Sequence, residues 1–316
     1  MTLLVVGSVA YDDVTTQSGR RMSAPGGSAF YFSISSSYFT NTSLIGVVGT
    51  DYSDDDRSIL LKSGVNIDGL VTEKGKTFRW KGVYDDTNFN SRETIDTQLN
   101  VLTKFNPKLN QIHKKSDFVF LANIDPKLQK NVLSQLDVRP KLIALDTMDF
   151  WIDDYKEELE AVIENVDVLF MDENEIKSFT QTNNVITAAK TVRKLGPKII
   201  VVKKGGNGVI MFNQGDIFTV PAFPIENVVD PTGAGDCFAG GFMGYVAGCN
   251  DLSPTTFRNA IITASVMGSF AVEGFSTEKF YGITNNDIDD RFRGLSSITS
   301  FETLQNNETL PRRTSS

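Results

Sequence analysis

The sequence predicts an α/β fold: a mostly parallel sheet covered by helices on both faces, with a small β-rich appendage. Three observations predict it. Short apolar runs such as LLVV (3–6), FVFL (118–121) and KIIVV (198–202) alternate with helical segments along most of the chain, the rhythm of a buried parallel sheet. Between Gly75 and Leu102 the texture changes to strand alternation. The stretch VVDPTGAGDCFAGGF (228–242) crowds glycines around one carboxylate, Asp236, where a loop runs into a helix. The 316 residues suit one large domain, or one domain with a small appendage. A core of that size needs no disulfide or metal to hold it.

Taken in order, the run 3–6 reads as a buried strand ending at Gly7. APGGSAFYFSISSSYF (24–39) reads as a turn and then a helix rich in small residues, and TSLIGVVGTD (42–51) as a second buried strand. DDDRSILLKSGV (54–65) is a helix with acids in its first turn, closed by Gly64. In the segment 75–102, Phe78, Trp80, Gly82 and Tyr84 share one parity, Arg79, Lys81 and Val83 the other, and DDTN (85–88) is a turn. From Asp117 the strand–helix rhythm returns, and VVKKGGNGVIMF (201–212) is a hairpin of apolar strands across a glycine turn. The end, RFRGLSSITSFETLQNNETLPRRTSS (291–316), is polar and reads as a tail.

Composition excludes several function classes. With 40% hydrophobic and 22% charged residues the chain is an ordinary globular one. Its net charge of -8 disfavours nucleic acid as a partner. MTLLVVGSVA carries no positive region ahead of its apolar run, so it reads as a strand and not a signal peptide. No apolar run reaches the length of a membrane span. Cys237 and Cys249 are read as free thiols in a reducing, cytoplasmic setting. The single histidine, His113, lies in a polar stretch and is expected at the surface, which leaves no zinc site or Ser-His-Asp triad.

The glycine stretch points to phosphate chemistry. The first amides of a helix lack internal partners and sit at the positive end of its dipole. Gly233 and Gly235 let the backbone approach a ligand with no Cβ in the way. The result is an anion hole suited to phosphate. Asp236, in the first turn, is expected as a carboxylate favoured by the dipole and able to take a proton from a hydroxyl. The plain alternative is an acid that only caps the helix. A P-loop would need lysine after the glycines, and a dinucleotide GxGxxG would need glycine where Phe238 stands.

The segment DPTGAGDCFAGGF (230–242) resembles the C-terminal signature of the PfkB/ribokinase family of carbohydrate kinases. APGGSA (24–29) resembles the family's N-terminal Gly-Gly motif, VVGTD its VGxD, and VVKKGGNGVIMF its nucleotide-bordering hairpin. The resemblance spans about residues 3 to 285 and implies a ribokinase-like three-layer α/β/α sandwich with a small β-sheet lid. Residues 1–290 would then form the kinase domain, with the lid mainly 75–102 and part of 13–24, and 291–316 the tail. It implies ATP with Mg²⁺, and often a potassium-type ion. It makes Asp236 the general base and the amides of Gly233, Ala234 and Gly235 the anion hole. Lys203, Gly205, Gly208, Thr232, Gly233 and Gly235 would border the nucleotide. Asp12, Gly26, Gly27, Tyr31 and Asn123 would meet the substrate, alongside Asp236. Glu175 and Asp172 would hold Mg²⁺ through water, and Asp230 a monovalent cation. A homodimer through the lid is the assembly it implies.

Three departures qualify the resemblance. DENE (172–175) has aspartate where the family's Asn-x-x-Glu has asparagine, and on its own it also reads as an acidic helix start. Tyr31 replaces the asparagine many relatives carry after Gly-Gly, and either lines the substrate pocket or packs in the helix. Met148 and Phe150 replace the Asn and Arg of the DxNxR segment, which argues against fructose and ketodeoxygluconate as substrates. Arg79, Lys81 and Arg92 offer lid charges to an anionic substrate, or are solvated strand charges, and Phe78, Trp80, Tyr84 and Phe89 offer rings to a nucleobase or a sugar face, or to a lid dimer interface. Asn123 and Asp125 meet substrate hydroxyls or cap a helix. The leading reading is an ATP-dependent kinase for an alcohol group of a sugar or sugar-like polyol. A nucleoside kinase of the same fold is the alternative within that chemistry, and a non-catalytic sugar- or nucleotide-binding regulator the one outside it.

Overall fold

The computed structural model describes residues 2–85, 92–304 and 309–310. Most of the expected DDTN turn, Phe89 and much of the tail lie outside the described residues. The strands are β1 (Leu3–Val6), β2 (Ala10–Thr16), β3 (Gly19–Gly26), β4 (Thr42–Gly49), β5 (Asn66–Glu73), β6 (Phe78–Tyr84) and β7 (Arg92–Gln98), followed by β8 (Phe118–Leu121), β9 (Leu142–Asp146), β10 (Val168–Asp172), β11 (Ile199–Lys203), β12 (Val209–Asn213) and β13 (Asp216–Val220). The helices are α1 (Ser28–Ser36), α2 (Asp54–Lys62), α3 (Pro126–Ser134), α4 (Asp149–Asp154), α5 (Lys156–Ile163), α6 (Glu173–Thr180), α7 (Val185–Arg193), α8 (Ala234–Cys249), α9 (Pro254–Ala271) and α10 (Asn285–Thr299).

Among the described residues, nine strands form one sheet in the order β13-β12-β11-β10-β9-β8-β1-β4-β5. Its pairings from β11 to β5 are parallel, and β12 and β13 extend it antiparallel. Side chains alternate between two cores, as a sheet buried on both faces requires. Leu3, Val5, Phe118, Phe120, Phe170 and Val201 join the core against α1, α8 and α9. Leu4, Val6, Val119, Leu121, Leu169 and Val202 join the core that α3, α5, α6 and α7 cover. The expected three-layer sandwich is what forms. A separate sheet, β3-β2-β6-β7, makes the small appendage. No helix among the described residues is long and apolar enough to cross a membrane.

The glycines of α8 divide by task. A Cβ at Gly240 would lie 2.4 Å from the Phe32 carbonyl, one at Gly244 2.9 Å from Ser36 Cα, and one at Gly248 2.7 Å from the Phe39 carbonyl. This i, i+4, i+8 row lets α8 touch the backbone of α1 and the turn after it. On the neighbouring face Gly241 meets Met267 and Ala264 of α9.

Two expectations are corrected. His113 is 3% exposed, not a surface residue, and burial pushes its pKa down. Its backbone amide donates to Asn110 Oδ1 at 2.8 Å, in a short helical turn that tucks the ring inward. The chain also does not pass into a tail at 291. Helix α10 crosses that boundary, opened by a Thr284/Asp287 capping box and buried through Ile288 and Leu295. The Arg291 guanidinium lies 3.6 Å from the Phe270 ring centroid and donates to Ser269 Oγ and Glu273. The apolar contacts are few, and a cation over an aromatic ring replaces one of them.

Gly240→Ala should lower stability by about 1–3 kcal/mol, because backbone and not a flexible side chain blocks the new methyl. Urea unfolding measures it, and an unchanged midpoint would mean that α1 and α8 are not in close contact.

Candidate active site

The site lies where the parallel strands end, the edge at which α/β sheets bind ligands. Four neighbouring strands deliver polar groups there. Asn123 follows β8, Asp146 closes β9, Asp172 closes β10 and Lys203 closes β11. Strand register sets Asp172 opposite Lys203, and Asp146 opposite Phe170. Helix α8 brings its N-terminus to the same place, and a cleft of about 980 Å³ opens between them.

At the centre of the cleft stand Gly233, Ala234, Gly235 and Asp236. Gly233 has φ +73, and α8 begins at the next residue. The Ala234 amide donates to the Pro231 carbonyl at 3.2 Å, so it serves the turn and is not an open donor. The amides of Gly233, Gly235 and Asp236 have no hydrogen-bond partner among the described residues, which leaves three donors of the kind that hold an anion at a helix start. The expectation that the dipole keeps Asp236 readily ionised is corrected. Withdrawal from water and then the nearby Asp146 push its pKa up to about 7, against Lys203 and Arg92.

Lys203 organises the floor. Its Nζ donates to both oxygens of buried Asp146, at 2.9 and 2.8 Å. Burial works against the ammonium, but Asp146 and then Glu175 outweigh it and hold its pKa above the usual lysine range. A Cβ on Gly235 would lie 3.3 Å from the same Nζ, which sets the charge beside the anion hole. Asp172 and Glu175 line the cleft and also form a capping box. Asp172 Oδ1 accepts from the Asn174 and Glu175 amides at 2.7 and 2.8 Å, and Glu175 Oε2 accepts from the Asp172 amide at 2.6 Å. The acidic helix-start reading of DENE therefore holds, and the same two acids also line the cleft. Burial pushes the Glu175 carboxyl up to about 8.

One end of the cleft is the β11–β12 hairpin, with Gly205 at φ +53 and Gly208 at φ +87. A Cβ at Gly208 would lie 2.2 Å from the Val220 carbonyl, so this glycine also lets β13 pack. Phe223, Pro224, Ser265 and Val272 wall that end. The other end holds Asn123, Thr147, Met148, Tyr84 and the lid residue Arg92. Asn123 Oδ1 accepts from Trp151 Nε1 at 2.7 Å, whereas Asp125 caps α3. Arg79 bonds Ser23 and lies 5.0 Å over the Tyr11 ring, and neither it nor Lys81 lines the cleft.

Six expected site residues do not line this cleft. Thr232 is buried, with its hydroxyl on Tyr84 Oη at 3.2 Å. Asp12 is 4% exposed and accepts from Tyr31 Oη at 3.0 Å, and Tyr31 is itself 2% exposed. Gly26 is glycine because a Cβ would come within 2.0 Å of Asp12 Oδ2. Gly27, at φ +94, would strike the Ser8 carbonyl at 2.6 Å. The Gly-Gly turn packs against its own chain instead of opening toward a ligand. Asp230 is also buried off the cleft. Its Oδ1 accepts from the Thr232 amide at 2.8 Å, and its Oδ2 meets no close hydrogen-bond donor among the described residues.

Asp146 and Thr147 line the cleft although the motifs assign them no role, and of the lid residues weighed for the substrate Tyr84 and Arg92 line it too. The signal for Asp146 was an acid closing an apolar strand, LIALD, on the ligand edge of the sheet. Tyr84 and Arg92 give no such signal, since only the folding of the lid over α8 brings them in.

Unpartnered amides at a helix start beside a protonatable acid, in a cleft on the carboxyl edge of a doubly covered sheet, are the donor and acceptor set that phosphate transfer requires. The chain belongs to the pfkB family of carbohydrate kinases, ATP-dependent phosphotransferases with an alcohol acceptor, and the family pattern matches residues 4–280. It is 28% identical over 256 residues to a cytidine kinase of Thermococcus kodakarensis, covering 78% of this chain and 90% of that one. It is 26% identical over 290 residues to a nucleoside kinase of Methanothermobacter thermautotrophicus, covering 87% and 91%. Its fold is similar to the Methanocaldococcus jannaschii nucleoside kinase, with a TM-score of 0.71 at 20% identity over 93% of this chain and 98% of that one. It is also similar to a putative ribokinase II of E. coli solved with ATP and Mg²⁺, with a TM-score of 0.76 at 18% identity, covering 93% and 99%. The ribokinase-like fold expected from the sequence is thus the observed one.

Carboxyls pushed upward set a pH dependence. Asp12 and Asp236 hold their protons to about pH 7 when folded, and release them near their ordinary values when unfolded. The folded chain therefore binds more protons in between, and stability falls as pH rises through that window. The melting temperature of the ligand-free protein should decline from pH 5 to pH 8, and less so in Asp12→Asn. A flat profile in differential scanning calorimetry would contradict the burial of these groups.

Proposed function

We propose that this kinase transfers the γ-phosphoryl group of ATP to a hydroxyl of a nucleoside, with Asp236 as general base. The single observation that carries the chemistry is Asp236 beside the open amides of Gly233 and Gly235, midway along a two-ended cleft. The hairpin end, with Gly205, Gly208 and the Phe223 wall, suits the nucleotide donor. The Asn123, Thr147 and Tyr84 end suits the acceptor. Asp236 takes the hydroxyl proton as the oxygen bonds to phosphorus, and the bond to the β-phosphate oxygen breaks to release ADP. The amides and Lys203 stabilise the charge in transit. The nucleoside reading is favoured over a sugar by two relatives matched over about nine-tenths of their length, named cytidine kinase and nucleoside kinase. The missing Asn and Arg at Met148 and Phe150 agree with it.

The cations belong to this proposal. Asp172 and Glu175 offer hard carboxylate oxygens on the cleft wall, a donor set that fits Mg²⁺ held largely through water and phosphate. The buried Asp230 Oδ2, with no close hydrogen-bond donor among the described residues, fits a monovalent cation, which would compensate its charge and steady the loop into α8. The lid homodimer stays part of it as well. Strand β7 is an exposed edge with Ile95 and Leu99 nearly half exposed, a surface a second copy could cover.

ADP release from MgATP against a panel of nucleosides, sugars and polyols tests the reading. Asp236→Asn should cut turnover by about 10²–10⁴ while nucleotide still binds. Wild-type turnover in that variant removes the base assignment, and ATP binding with no ADP formed on any acceptor favours a regulator. The acid limb of kcat/KM should fall near pH 7, with activity rising as Asp236 ionises. Gly235→Ala should fold normally, because its methyl meets only the flexible end of Lys203, and should lose turnover. An unchanged rate would make the loop structural only.

A further inference from the structure

Beneath the loop into α8 lies a space, filled by a side chain, that the cleft lining does not include. Its walls are Asp12 on β2, the Gly26–Gly27 turn, and the backbone at Gly233. The phenol of Tyr31 fills it. A Cβ on Gly233 would lie 2.4–2.5 Å from three Tyr31 ring carbons, so the ring is packed directly under the loop. The hydroxyl donates to Asp12 Oδ2 at 3.0 Å, and a Cβ on Gly26 would meet both that oxygen, at 2.0 Å, and Tyr31 Oη, at 3.0 Å. No space is left between the phenol and the carboxylate. Neither residue lines the cleft. At the acceptor end above, Thr147 Oγ1 is a buried hydroxyl on the cleft wall with no partner among the described residues, a polar atom free to meet a ligand.

We propose that Tyr31 is the acceptor-specificity residue of this kinase: its phenol plugs a hydroxyl-binding chamber and takes Asp12 for itself, so that acceptors are held by the upper wall at Thr147, Asn123 and Tyr84. The enzyme then rejects acceptors that depend on a deep carboxylate for several of their hydroxyls, and accepts those with a bulkier body resting on the upper wall. The chamber already has what a polyol needs once the ring is gone. It has a buried carboxylate able to accept from two hydroxyls, and it sits next to the hole where phosphate is transferred. The specificity statement rests on the kinase reading above, whereas the chamber itself can be tested by binding alone.

Calorimetric titration with D-ribose compares the native protein, Tyr31→Ser, Tyr31→Phe and the double variant Tyr31→Ser/Asp12→Asn. Tyr31→Ser should bind D-ribose about tenfold more tightly or better, the scale of hydrogen bonds to a charged acceptor. Tyr31→Phe keeps the ring and should show no gain, and the double variant should lose it. A Tyr31→Ser protein that unfolds cooperatively and binds MgATP, yet gains no ribose affinity, overturns the proposal. So does a gain that survives Asp12→Asn. Should Tyr31→Ser fail to fold, Asp12→Asn alone decides with cytidine as acceptor. A KM raised about tenfold or more means that Asp12 already touches the acceptor and overturns the plug, and a change of less than about threefold supports it. Absence of turnover with any acceptor would sink the kinase reading while leaving the ribose titration intact.

Discussion

One partly buried ammonium holds the site together. Lys203 ends β11 with three carboxyls in its field, Asp146 in direct contact and Glu175 and Asp236 nearby. Acids brought this close repel one another, and burial costs each of them solvation. Without the cation, the carboxyl edge of the sheet would not tolerate Asp146, Glu175 and the Asp236 helix start together. With it, burial still outweighs the ammonium, and neighbouring acids add to burial, so Asp236 and Glu175 keep raised proton affinities. A base with a pKa near neutrality follows from that withdrawal from water.

Glycine serves two different demands within one segment. Gly233 and Gly235 keep side chains away from the phosphate side of α8, and Gly240, Gly244 and Gly248 keep them away from α1. The second demand supports the first. Close contact between α8 and α1 brings Tyr31 under Gly233, which fixes the height of the loop from which the anion hole is made. Loop position and helix packing therefore share a residue, and a change at position 31 acts on both.

The lid illustrates what local pattern can and cannot reveal. The alternation of Phe78 to Tyr84 marks β6, but not its parallel pairing with β2, which joins segments about seventy residues apart. Strand β5 was not read at all. It is mostly exposed on the sheet edge and lacks the apolar run that marks the central strands. Helix α10 looked like tail because its burial rests on two aliphatic side chains and an arginine stacked on Phe270. That Asp236, Gly233 and Gly235 sit together on the cleft was legible because a helix start is local. Asn123 was legible because it follows a strand at the ligand edge, and Lys203 through the resemblance of its hairpin.

By itself the sequence determined the layer order, the helix that carries the anion hole and the acid at its start. Each of these depends on periodicity, capping or glycine freedom within a few residues. Only the tertiary structure decided what those parts face. The Asp146–Lys203 pair, the arrival of Tyr84 and Arg92 from the lid, and the withdrawal of Asp12 behind Tyr31 depend on side chains distant in sequence meeting in one place. Burial is a property of the assembled surface and not of a motif. A residue type that binds substrate when exposed becomes a packing partner when a neighbouring ring closes over it, and Asp12 is the instance here.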